Sequence, residues 1–282
     1  MKKALEFIVY TNLWVATAVA SLTALTMVLL GGYNPTVIGF AFFATLLMYA
    51  YARWFVSPAR EDEITSKLTN WTSDNKLYYL MSGLIGGAGS LWLVFYLSKE
   101  ALIIIIICAG VSALYPIQFL SKGQIALRNV AGLKLFVISA VWTIVTVVLP
   151  AVEAGIAVGF ELITLTIQRF LFVMAITIPF DIRDLRIDHP DLNTLPYRIG
   201  IKASRSLARL AMLFAEAIAV LLFFTNDLTL PILIAQLIVF ELTSLLIHRS
   251  SPKKPDLYFS FGVEGTSILL FLMVFIFTYF WP

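Results

Sequence analysis

The chain has 282 residues, is 60% hydrophobic and 13% charged, and carries a formal net charge of +3. Soluble domains hold about 25% charged residues, so half that share with a mean hydropathy of +0.90 excludes a water-facing globule, a disordered chain and a collagen-like one. The one cysteine, Cys108, cannot form an intrachain disulfide, and the small net charge gives no reason to expect nucleic acid.

An apolar stretch of about 20 residues spans the hydrocarbon core as a helix. In chain order such stretches read as 7–30, 34–56, 77–98, 101–120, 132–151, 160–180, 204–225, 228–248 and 259–281. The fold class expected is therefore all-α: a polytopic bundle of nine transmembrane helices, with residues 1–282 as one transmembrane domain. The first stretch is too long for a signal peptide's apolar core and reads as a mature helix. Gly83, Gly86, Gly87 and Gly89 in the third stretch favour close helix packing. An N-terminus in the cytoplasm puts eighteen of the twenty Lys and Arg on that side and the C-terminus outside, as the positive-inside rule requires. The expected location is a bacterial inner membrane.

The segment after the sixth stretch carries the candidate chemistry. Asp181, Asp184 and Asp188 stand three and four apart, so a helical extension puts three carboxylates on one face. Those carboxylates repel unless a cation sits among them, and hard oxygen ligands suit Mg²⁺. Arg183 and Arg186 alternate with the acids and suit phosphate oxygens. A solvated loop that merely ends the helix is the plainer alternative. Thr194, Leu195, Pro196 and Gly200 follow directly.

With these residues the sequence resembles the UbiA superfamily of intramembrane prenyltransferases. That family has nine helices and Asp-rich motifs after helices two and six, the second of the form D-x-x-D-x-x-x-D followed by T-L-P-x-x-x-G. The resemblance covers the chain in topology and about 20 residues in motif. It implies Mg²⁺ held by Asp181, Asp184 and Asp188 on a prenyl diphosphate. The segment Tyr115–Lys122 is similar to the family's tyrosine-led segment ending in a basic residue. Tyr115, Lys122, Arg128, Arg183 and Arg186 are thus implied on the diphosphate. The first motif is degenerate: after the second stretch stand Arg53, Glu61 and Asp62, with no Asn-Asp pair and no acid at the right spacing. A single Mg²⁺, Arg53 or Arg60 substituting for the missing cation, or loss of catalysis each accommodate that departure; Glu61 and Asp62 read as a solvated charge cluster or, alternatively, as displaced ligands.

Arg169, Glu216, Glu241 and Glu264 fall inside spans. Intramembrane charges face the bundle interior and find partners, so Arg169 is expected to form a structural pair with Glu241 or Glu216, the alternatives being a proton relay or a polar acceptor pocket. The resulting expectation is a Mg²⁺-dependent transferase moving an isoprenyl group from a prenyl diphosphate to an aromatic or lipid acceptor at the cytoplasmic face. The alternative is a non-catalytic isoprenoid- or lipid-binding protein of the same fold. A small transporter ranks last, because the sequence shows no paired halves with broken helices.

Overall fold

The computed structural model describes residues 2–54, 71, 74–114, 132–186 and 194–281. The helices are α1 (Lys2–Tyr10), α2 (Leu13–Leu29), α3 (Pro35–Trp54), α4 (Lys76–Val94) and α5 (Lys99–Leu114). They continue as α6 (Leu133–Glu153), α7 (Phe160–Asp184), α8 (Leu195–Phe224), α9 (Leu230–Arg249) and α10 (Tyr258–Phe280). No strand occurs among the described residues. Within the described residues the expected spans fall on helix. By length and composition seven of the described helices could cross a membrane, or up to eight spans if α1 and α2 count as one, against the nine expected. α5 has 16 residues. The helix set is that of an integral membrane protein.

The first span differs from the expected single helix. α1 and α2 meet at 64°, because Asn12 takes the left-handed conformation (φ 66°) that Asn tolerates better than most residues. The bend turns Val9 and Asn12 toward the interior, where both are buried.

Two π-helical turns interrupt the α-helical register. Ile144–Val148 lies within α6 and Tyr258–Val263 opens α10. The hydroxyl of Thr26 on α2 donates to the Thr146 carbonyl in the first of them (2.6 Å). Arg169 on α7, 3% exposed, then donates to the Leu22 carbonyl (2.8 Å), Thr146 Oγ1 (3.2 Å) and Thr26 Oγ1 (3.4 Å). Arg169 is therefore solvated by a carbonyl and two hydroxyls instead of pairing with Glu216 or Glu241. Glu241 is exposed and Glu216 half-buried. A guanidinium with five donors is satisfied by neutral oxygens when they converge on it.

The main core joins α7, α8, α9 and α10 around Phe172, Met212, Phe240 and Leu270. Gln168 ties three of these helices, donating to Gln236 Oε1 (3.0 Å) and the Ala215 carbonyl (3.1 Å). On the other side, α4 lies directly on α3. A Cβ at Gly86 would stand 2.6 Å from Leu47 N and 2.8 Å from the Phe43 carbonyl oxygen. Backbone cannot yield as a flexible side chain can, so Gly86→Ala should cost about 2 kcal/mol. Gly110→Ala, with nothing within 4 Å, should leave stability unchanged. Denaturation midpoints of the two variants in detergent check this.

Candidate functional site

α7 carries the candidate residues to its end. Its apolar face anchors it in the main core, and it continues through a buried Pro179 to Asp184. Asp181 is 2% exposed and its Oδ1 accepts from Lys134 Nζ on α6 at 2.6 Å. Asp184 Oδ1 accepts from Arg183 Nε at 2.7 Å. Arg183 also lies over the Phe180 ring (5.1 Å) and reaches Ser260 Oγ at 3.5 Å.

Arg183, Asp184 and Lys134 line a cavity of about 200 Å³. Asn12 and Tyr49 approach from α2's start and from α3, and Ser260 and Glu264 from α10. The π turn sets the last two: it ends at Val263, so Ser260 and Glu264 point from successive turns to the same side. π turns inside α-helices are frequent at functional sites.

A second cavity, about 620 Å³ and apolar, lies among α3, α4, α5 and α6. Ala44, Met48, Ile104, Cys108 and Val145 are among its walls. Phe40 and Leu149 of its wall also belong to a buried cluster with Met27, Val37, Leu97 and Ala101. Tyr49, Ile138 and Trp142 belong to the walls of both cavities, so the polar chamber and the apolar one adjoin.

The expected site residues divide into three groups. Asp184 and Arg183 share the polar cavity. Asp181 lies one turn back, held by Lys134, and Arg186 is exposed with Nη2 donating to the Lys254 carbonyl (3.3 Å). Asp188, Tyr115, Lys122, Arg128, Glu61 and Asp62 lie outside the described residues, and Arg53 is the penultimate residue of α3. The T-L-P-x-x-x-G stretch has a clear structural cause. Thr194 precedes α8 in extended conformation and Pro196 sits in its first turn, where a missing N–H costs nothing. Gly200 (φ 80°, ψ 160°) then breaks the helix, a conformation that favours glycine. Sequence reasoning missed Lys134, which resembled an ordinary positive-inside charge, and Asn12, Tyr49 and Ser260. Glu264 stood out as an intramembrane acid, but no spacing tied it to α7.

The donor set is compatible with Mg²⁺. The ion commonly takes one or two carboxylates and completes its shell with water and substrate phosphate, and Asp184 and Glu264 both face the cavity. Among the described residues no three His, Cys, Asp or Glu side chains group closely enough to hold a metal by themselves. The charged walls balance, Lys134 and Arg183 against Asp184 and Glu264, so the cavity by itself supplies no net positive charge to an anionic headgroup and a counter-ion would have to bring it.

A polar cavity beside an apolar chamber, with three residues common to their walls, is the arrangement within this membrane bundle. Comparison with solved structures gives the same architecture. The chain is similar over 97% of its length to a digeranylgeranylglyceryl phosphate synthase (16% identity, TM-score 0.54, 98% of that chain). It is similar over the same share to a UbiA homologue from Aeropyrum pernix K1 (12%, TM-score 0.59, 96% of that chain). A UbiA homologue from Archaeoglobus fulgidus, solved with GPP and Mg²⁺, aligns at 10% identity and TM-score 0.59 over 97% of both chains. No protein-family model and no curated protein sequence matches. The chain has the UbiA fold.

Proposed function

We propose that this chain is a divergent UbiA-type prenyltransferase, with a prenyl diphosphate headgroup in the polar cavity and its isoprenyl chain in the apolar chamber. One observation carries the reading: Tyr49, Ile138 and Trp142 wall both spaces, so one amphiphile can occupy them together. Lys134 and Arg183 donate to phosphate oxygens. The allylic C–O bond breaks, its electron pair leaves with the diphosphate, and the allylic cation passes to an acceptor nucleophile that then loses a proton. Tyr49 and Trp142 stand on the wall common to both spaces, where aromatic rings would favour the positive charge that develops. Mg²⁺, held by Asp184 and Glu264, would neutralise leaving-group charge. The fold's solved relatives with GPP, DMAPP and Mg²⁺ support the same donor class. By the distribution of Lys and Arg the polar cavity belongs to the cytoplasmic face.

A second reading, isoprenoid binding without turnover, is favoured by the Lys134–Asp181 pair, which engages one acid of the second motif. Diphosphate release from geranyl diphosphate by protein in nanodiscs, with and without Mg²⁺, separates the two. Release that requires Mg²⁺ supports the transferase, and saturable binding with no release overturns it in favour of the binding protein. The chamber has its own test. Ala44 is a small wall residue, and Ala44→Phe should weaken geranylgeranyl diphosphate by tenfold or more relative to dimethylallyl diphosphate, since each buried methylene contributes about 0.8 kcal/mol. Equal loss for both donors would place the chain elsewhere.

A further inference from the structure

The ends of α8 and α9 that lie beside the loop before α10 carry cations of a different kind from those of the site. Lys134 and Arg183 are ion-paired. Lys202, Arg209 and Arg249 are exposed, and no carboxylate among the described residues pairs with them. Lys202, Arg205 and Arg209 recur at i, i+3 and i+7, so they form one ridge along α8. Arg205 joins that ridge to α9: its Nη2 donates to the Ser250 carbonyl just past Arg249. Its Nε is buried without a hydrogen-bond partner. The Tyr258 hydroxyl donates to the Leu246 carbonyl of α9 (2.6 Å), so the start of α10 is tied to the same helix end.

Depth gives the ridge its meaning. Arg205 stands level with the end of α9. Arg209 is one turn farther into the span, about 6 Å along the axis. Another turn down the same face is Leu213, 58% exposed, and beneath Arg249 on α9 is Leu245, 42% exposed. One turn deeper on the same two helices stand Glu216, half-buried, and Glu241, exposed, so the cationic rim sits over an apolar step one turn deep on the outside of the bundle, away from the walls of both cavities. The positive-inside rule accounts for the sign of the charge on this side. It does not account for a single ridge set above lipid-facing leucines.

We propose that this ridge is a binding site for an anionic glycerophospholipid. The phosphodiester would lie among Lys202, Arg205, Arg209 and Arg249, and the acyl chains along Leu213 and Leu245. Guanidinium and ammonium donors suit phosphate oxygens, and basic pockets between transmembrane helices take acidic headgroups. This assignment is independent of the prenyl-diphosphate reading.

The experiment is native mass spectrometry of the full chain in detergent with phosphatidylglycerol and phosphatidylcholine in competition. The site predicts preferential retention of phosphatidylglycerol. The triple variant Lys202→Gln, Arg209→Gln, Arg249→Gln should lower that retention on the order of 10- to 100-fold, with Arg205 left in place to keep its Ser250 bond. A charge-matched control, Lys3→Gln, Lys76→Gln, Lys99→Gln, should retain the lipid. Free glycerol phosphate should not displace it, because the apolar strip is part of the site. Equal retention of the two lipids, equal losses in both triples, or displacement by glycerol phosphate would overturn the proposal. So would a co-purifying protein, lost from the first triple, in place of lipid.

Discussion

Arg183→Gln is expected to slow prenyl-diphosphate consumption at least 100-fold, with a smaller loss of overall stability. Arg183 reaches the polar cavity through three anchors: Asp184 at 2.7 Å, Ser260 at 3.5 Å and the Phe180 ring. A clamp on a departing phosphate acts where charge develops, and removing one donor from such a site costs about 2.7–4 kcal/mol of transition-state stabilisation. Glutamine keeps two donors but no charge. The rate of diphosphate release at saturating donor, measured alongside donor affinity, checks it. A fall in affinity with unchanged maximal rate would make Arg183 a binding residue only.

The second large effect concerns folding. Lys134→Met leaves Asp181 as a carboxylate 2% exposed with its ion-pair partner gone. Breaking a buried pair from one side costs more than the pair contributes, because the remaining charge is stranded. With Lys134 itself partly exposed, a loss of about 3 kcal/mol is expected. The double variant Lys134→Met, Asp181→Leu should recover most of that loss, since two apolar groups restore a consistent interior. A melting series of the two single variants and the double closes the cycle. If Lys134→Met alone melts like the parent protein, the pair carries no structural weight, and Asp181 becomes available to a metal.

These expectations depend on contacts that a linear reading shows unevenly. The spans were legible because hydropathy is a sum over about 20 residues and tolerates local irregularity. Arg183 and Asp184 were legible because polar residues at the end of a long apolar helix interrupt a strong background. Thr194, Pro196 and Gly200 were legible because each has a local backbone reason to stand where it does. Lys134 was not, since its partner lies 47 positions away and one lysine near a span end is ordinary. Asn12 and Glu264 come from opposite ends of the chain, and only packing brings them to the same cavity. The Arg169 expectation failed for a chemical reason. It assumed that a buried cation needs an anion, whereas Leu22, Thr26 and Thr146 offer oxygens without charge. The bend at Asn12 and both π turns leave hydropathy unchanged, so no composition window can reveal them.

The turn at Tyr258–Val263 carries one more consequence. A π turn holds one residue more than the α-helical stretch it replaces, so excising a single amino acid there would let ordinary winding resume. The helix on either side of the cut would keep its bearing, because the residue removed is the one that the wider turn absorbs. A deletion at Phe261, Gly262 or Val263 would tighten the turn alone, leaving Ser260 and Glu264 three positions apart in place of four. A chain shortened by that one residue should keep its last helix seated in the bilayer and change only the wall of the polar cavity, so the length of this segment adjusts the cavity without moving the bundle.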